Sequence, residues 1–192
     1  MNARTLSITA IAAAIATVTA LASPAVAHRH HPDGVGAPGV GDPYYPLDGN
    51  GGYDVGHYDL DLTYDPGSGE LVGKATIRAR ATQRLSRFDL DFVGLDVHRI
   101  KVDRVRAAWS RAGQELRVTP KHALHKGDSF TVKVTYSGVP QMTDGAGFIA
   151  TDDGFDIAGE PHVAASWFPV NDHPTDKATY TFRVTAPSPY RW

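Results

Sequence analysis

The chain has 192 residues, with 19 Lys and Arg against 21 Asp and Glu, nine His and no Cys. So even a balance excludes the strongly basic footprint by which nucleic-acid binders are recognised. Without cysteine there is neither a disulfide to brace the fold nor a thiolate to hold a metal, so stability has to come from the packed core.

In chain order, residues 1–27 are expected to be a secretory signal peptide. Arg4 supplies the positive start, an apolar run from Leu6 to Leu21 the hydrophobic region, and Ala25-Val26-Ala27 the small-x-small cleavage site. The alternative is an uncleaved membrane anchor, but a cleavage signal follows the Ala- and Thr-rich core at once. The product is therefore expected to be secreted and extracellular, with no membrane span after cleavage. Removing 27 of 192 residues leaves 165, enough for one domain. Residues 28–52 are dominated by Gly and Pro without periodicity and read as a flexible leader. His28, His30 and His31 lie on it; three imidazoles on a mobile segment fix no coordination geometry, which favours solvation over metal capture. Tyr44, Tyr45 and Leu47 are candidates to pack onto the folded body.

From Tyr53 the pattern becomes that of strands. Tyr58, Leu60, Leu62 and Tyr64 alternate with Asp59, Asp61 and Thr63, and Asp65-Pro66-Gly67-Ser68-Gly69 reverses the chain into a second arm through Leu71, Gly73, Ala75, Ile77, Ala79 and Ala81. Small residues on that arm predict the close approach of another layer. Phe88, Leu90 and Phe92 alternate with Asp89 and Asp91; short apolar pairs lead to Trp109; Ser110-Arg111-Ala112-Gly113 is expected to turn the chain into Leu116 and Val118. Phe130, Val132, Val134 and Tyr136 give one more clear alternation. Turn signals every eight to twelve residues without an amphipathic helix predict an all-β domain over 53–187, an antiparallel β-sandwich or saddle-shaped sheet, followed by a tail at 188–192.

The densest stretch runs from Glu160 to Val184. Pro169 and Pro174 restrict the backbone around Asn171 and Asp172, so a rigid corner is expected, with Trp167 and Phe168 packed in it. Beyond it Ala178, Tyr180, Phe182 and Val184 alternate with polar residues, the pattern of a half-buried strand. The run W-F-P-V-N-D-H-P-T-D-K-A-T-Y-T-F resembles the corresponding segment of the aminopeptidase N-like zinc metallopeptidases, in particular their secreted bacterial members. The fragments Y-D-V-G-H-Y-D-L-D-L, G-K-A-T-I-R-A-R-A-T, F-D-L-D-F-V-G-L-D-V and V-T-Y-S-G-V-P carry the same resemblance, in the same order, over residues 53–187.

The resemblance implies an N-terminal β-domain in which an acidic or amide residue, twelve positions before the turn Asp, helps hold the free α-amine of a peptide. Counting back from Asp172 gives Glu160, and a carboxylate suits an ammonium partner. It also implies a zinc cofactor in the complete enzyme, held by two His and a Glu of an H-E-x-x-H helix and a further Glu, beside a G-x-M-E-N strand. Neither motif occurs in these 192 residues. The chain is therefore expected to be truncated before the zinc-binding domain, to carry no catalytic or metal-ligating residue, and to be inert alone, since no Lewis acid activates water. In the enzyme the partners would be peptide N-termini.

Other polar clusters are weaker. His122 and His125 sit between Pro120 and Gly127, where a regular helix is not expected, and no carboxylate follows at ligand spacing. Asp144, Asp152, Asp153 and Asp156 resemble a calcium loop in composition but lack its spacing, and a turn-rich hairpin is the better reading. Asp172 and His173 are read as structural, the Asp capping backbone N–H groups. The strand from Lys177 to Thr185 is expected to lack one neighbour, leaving an apolar face uncovered. A reading from another class is a secreted, stand-alone β-sandwich binding module with the corner at Trp167 as its ligand face.

Overall fold

The structure, a computed structural model, describes residues 34–143, 145–151, 154–160, 162–188 and 190. The signal-peptide expectation, His28, His30 and His31, and Asp144, Asp152 and Asp153 lie outside the described residues. Among the described residues no helix is long and apolar enough to cross a membrane.

The first hairpin forms as the alternation predicts. β1 (Tyr53–Asp65) buries Tyr58, Leu60, Leu62 and Tyr64 on one face. Its turn is closed by Asp65, whose carboxylate accepts from the Gly67 N–H at 3.0 Å and the Ser68 hydroxyl at 2.9 Å. β2 (Glu70–Ala81) returns antiparallel and pairs on its far side with β8 (Ser129–Gly138). β4 (Asp96–Val102) and β5 (Val105–Arg106) extend the sheet at one end, and β11 (Thr179–Thr185) closes the other, giving the order β11-β1-β2-β8-β4-β5. All these neighbours are antiparallel except β11, which runs parallel to β1.

The small residues of β2 have a specific cause. Gly73 lies directly opposite Tyr136 of β8, and a Cβ added there would stand 2.1 Å from the ring carbon Cζ. Tyr136 fills the space a side chain would take, and the ring continues inward to Phe92, 5.0 Å away between centroids. Gly73→Val is therefore expected to destabilise the domain by about 2–3 kcal/mol, read as a shift of the urea midpoint.

A second sheet, β3 (Phe88–Asp91), β7 (Glu115–Thr119) and β6 (Ala108–Ala112) in the order β3-β7-β6, covers the inner face of the first. Phe88 meets Tyr53 and Phe130 of the large sheet at centroid distances of 5.7 and 5.4 Å, so the two layers share one core. The hairpin of β9 (Gly147–Thr151) and β10 (Gly154–Ala158) sets Phe148 and Phe155 around Tyr64, and the 3-10 turn η1 (Ala164–Ser166) follows.

Several elements differ from expectation. Ser110 to Ala112 belong to β6 and the reversal falls at Gly113, with φ of +63°; the strand is exposed, so it shows no burial alternation to read. Residues 34–52, expected within a flexible leader, are instead tied along β3. The Gly36 N–H donates to the Arg87 carbonyl at 2.9 Å, and Asp48 and Asn50 are buried while Tyr44 and Leu47 face solvent. Polar side chains dock most of this segment, and of the expected group the Tyr45 side chain alone meets the body, against the His162 ring at 4.4 Å between centroids. Asp89 and Asp91 are completely buried, because β3 lies between other structure on both faces. β11, by contrast, carries the uncovered apolar face expected of it: Tyr180 stacks on Tyr58 and Phe182 on Trp167, yet their outer faces remain open, with Tyr180 44% and Phe182 51% accessible.

Candidate functional site

The corner expected around Pro169 and Pro174 is assembled on one buried carboxylate. Asp91, at the end of β3, accepts through Oδ2 from the Gly49 N–H (3.1 Å), the Asn50 side-chain amide (3.1 Å) and the Asp172 N–H (2.8 Å), and through Oδ1 from Gln114 (3.2 Å). One side chain thus ties the 48–50 segment, the start of β7 and the corner together. The backbone adds a two-way bridge between Asp91 and Val170, at 2.8 and 3.0 Å. Asn171 is the second knot: its N–H donates to the buried Tyr58 hydroxyl at 2.9 Å, its Oδ1 accepts from the Asn50 N–H, and its side-chain amide donates to Asp176.

The side chains of the corner sort by burial. Trp167, Phe168 and Pro169 are buried, Trp167 and Phe168 edge to face at 4.5 Å, whereas Pro174 is exposed. The Asp172 carboxylate caps η1, accepting from the Ala165 N–H at 3.1 Å. Burial raises its pKa, an effect opposed by that hydrogen bond. His173 turns away to Thr175 and Asp42, so Asp172 and His173 do not act on a common point. Behind the corner lies a small cavity of about 70 Å³, lined by Asp48, Asp91, Gln114, His162, Ser166 and Asp172 among others. His162 and Asp48 close one side of it at 2.9 Å.

Glu160 lies between β10 and η1, two residues before His162. It is exposed and makes no ion pair among the described residues. Asp156 is exposed on β10, away from the cavity lining. His122 and His125 lie on an irregular loop whose turn is fixed by the Asp128 carboxylate accepting from the His125 N–H at 2.7 Å.

Electrostatically the corner is acidic and largely buried. Burial pushes Asp91 up to about 7, with Asp172 and Asp48 adding repulsion against the four donors that favour its charge. Burial pushes Glu115, opposite Asp91 on β7, up to about 8, with Asp91 and Asp89 adding to it. The two differ in wiring: both Glu115 oxygens and the neighbouring Asn50 Oδ1 have no hydrogen-bond partner among the described residues. Asp91 as carboxylate has four donors, whereas charged Glu115 is favoured only by Arg117 and Asn50, which do not offset its burial, so Glu115 keeps its proton the more readily of the two.

These residues do not fit zinc. The Asp91 oxygens are occupied by amide donors, an Asp172 oxygen caps a backbone N–H, and the one imidazole on the cavity is tied to Asp48. Among the described residues no group of three or more His, Cys, Asp and Glu is placed to hold a metal ion.

Sequence reasoning passes over Asp48, Asn50, Asp91, Gln114 and Glu115. The only signal for them is the D-G-N-G-G run at 48–52, which composition alone assigns to a loop.

A sandwich of two sheets with this corner has known counterparts. A family profile described as the Peptidase M1 N-terminal domain matches residues 55–192, and the chain belongs to that family. The M1 zinc metallopeptidase from Deinococcus radiodurans is 35% identical, with a TM-score of 0.73 over 78% of this chain and 36% of that one. A form of the Deinococcus radiodurans enzyme bound to a Tyr-Ser-Ala substrate gives 0.69 at the same identity and coverage. Yeast LTA4 hydrolase, 24% identical with a TM-score of 0.59 over 71% of this chain and 23% of that one, shares the fold. The chain thus spans about a third or less of the length of these solved relatives. Among curated proteins there is no significant match.

Proposed function

We propose that this domain is one wall of the substrate pocket of a secreted zinc aminopeptidase, that Glu160 holds the α-amine of the bound peptide, and that the 192 residues hydrolyse nothing by themselves. The observation that carries the reading is the placement of Glu160: an exposed carboxylate with no ion-paired cation among the described residues, on the segment that leads into the hydrogen-bonded corner. An amine anchor needs both properties. Its charge has to be uncompensated before substrate arrives, and its position fixed by something stiffer than a loop. Asp91, Asn171 and Asp172 supply that stiffness by tying the corner to β3 and β1. Hydrolysis requires a metal centre or another means of activating water, and these 192 residues contain no H-E-x-x-H.

The test is a chimera joining this domain to the zinc domain of the Deinococcus relative. Glu160→Gln in it is expected to lower kcat/KM for an aminoacyl p-nitroanilide by about 100-fold, because an ion pair to the amine becomes a neutral hydrogen bond. Full activity in the Gln variant would show that the amine is held elsewhere.

A further inference from the structure

The outer face of the six-stranded sheet is divided by charge. On β1, Asp59 and Asp61 are neutralised across the strands by Arg183 and Lys74, each at 2.8 Å. Farther across the sheet the cations have no such partners: Arg78, Arg99, Lys101, Arg104, Arg106 and Lys133 make no ion pair among the described residues.

The strand register sharpens the point. Arg106 is directly opposite Lys101, Lys101 is directly opposite Lys133, and Lys133 is directly opposite Thr76. Directly opposed like charges weaken a sheet. Two such pairs in succession set three cations in a row over about 10 Å, given about 4.8 Å between strands, with Arg99 about 7 Å along β4 from Lys101. Folding stability gains nothing from this row, which is left open to an anionic partner.

Beside it lies an open groove of about 490 Å³ lined by Thr76, Arg78, Asp103, Arg104, Thr131 and Lys133. Arg104 is held at its rim by a tight turn in which Asp103 and Arg104 have φ of +48° and +70°, a region that non-glycine residues seldom adopt. Asp103 clamps this turn to β8: its carboxylate accepts from the Thr131 N–H and its own N–H donates to the Thr131 carbonyl, both at 2.9 Å. One oxygen of the groove's one carboxylate is thereby tied to the backbone.

We propose that this face binds linear polyphosphate, a polyanion without bases or acyl chains, with Arg106, Lys101 and Lys133 in line and Arg78 and Arg104 closing the groove. The row favours a chain of charges over a single ion. The lining consists of threonine and charged side chains alone, which offers no aromatic platform for nucleobases and no apolar anchor for a lipid surface.

The test uses the full chain and fluorescently labelled linear inorganic polyphosphate. Binding is expected at low salt, with log affinity falling linearly as log salt rises. The double variant Lys101→Gln, Lys133→Gln is expected to bind at least about tenfold more weakly, while melting at the same or a higher temperature because the repulsion is relieved. No binding to polyphosphate, unchanged affinity in the variant, or tighter binding to an oligonucleotide or an anionic vesicle would each overturn the proposal. So would a variant that melts earlier, since the row would then serve the fold.

Discussion

Asp91→Ala is expected to destabilise the domain by about 3–5 kcal/mol, the largest effect of any single substitution considered. The change removes the acceptor shared by Gly49, Asn50, Gln114 and Asp172; the Gly49 and Asn50 donors are buried and lose their partner outright, while the Gln114 and Asp172 donors are part-buried and Gln114 keeps the Leu47 carbonyl. Cavity formation contributes less than those unmet groups, because the side chain removed is small. The defect should be regional before it is global. Amide exchange is expected to rise first at residues 48–50 and 171–172, and a urea melt to show the lowered midpoint. Equal protection of those amides in the variant and the native protein would mean that the corner holds itself without the carboxylate.

Glu115→Gln is expected to act in the opposite direction. Burial raises the folded-state pKa of Glu115 to about 8, above the ordinary carboxylate value that it has when unfolded. A raised carboxyl pKa means that the folded protein binds the proton more tightly than the unfolded chain does. Its contribution is therefore fully present below about pH 4.5 and is lost as pH rises toward about 8. Over that window the native protein should lose about 2–3 kcal/mol that the Gln variant keeps, because a neutral amide needs no proton to remain buried and can donate to Asn50 Oδ1. At pH 8 the variant should be the more stable protein, and near pH 4.5 the two should converge. Asp91, raised to about 7, leaves a residual slope of the same sign in the variant. Parallel pH curves for the two proteins would place the proton somewhere other than Glu115.

The strands were legible in the sequence where one face is wet and the other dry. Tyr58, Leu60 and Leu62 against Asp59, Asp61 and Thr63 specify β1 because its outward side meets solvent, and Gly73 announces the approach of Tyr136 by being the only residue small enough. The same rule misleads at β3. Asp89 and Asp91 alternate with Phe88 and Leu90 as a solvent face would, yet this strand lies between layers: the Asp91 carboxylate meets residues 49, 50, 114 and 172, and that of Asp89 lies beside Arg87 and Arg117. The partners of Asp91 are 42, 41, 23 and 81 residues away in sequence, beyond the reach of any local pattern. Glu160 was reached only through resemblance, since nothing local distinguishes an exposed loop Glu from any other. The cationic row was likewise hidden: Lys101, Arg106 and Lys133 come together only through the order β8-β4-β5, while the whole chain is nearly neutral.

The most direct measurement is made on the purified chain, equilibrated with excess zinc, dialysed, and offered an aminoacyl p-nitroanilide. A domain that forms a pocket wall without metal machinery should retain no stoichiometric zinc and release no p-nitroaniline above the buffer rate. One zinc per chain after dialysis, accompanied by turnover that a chelator abolishes, would contradict that view.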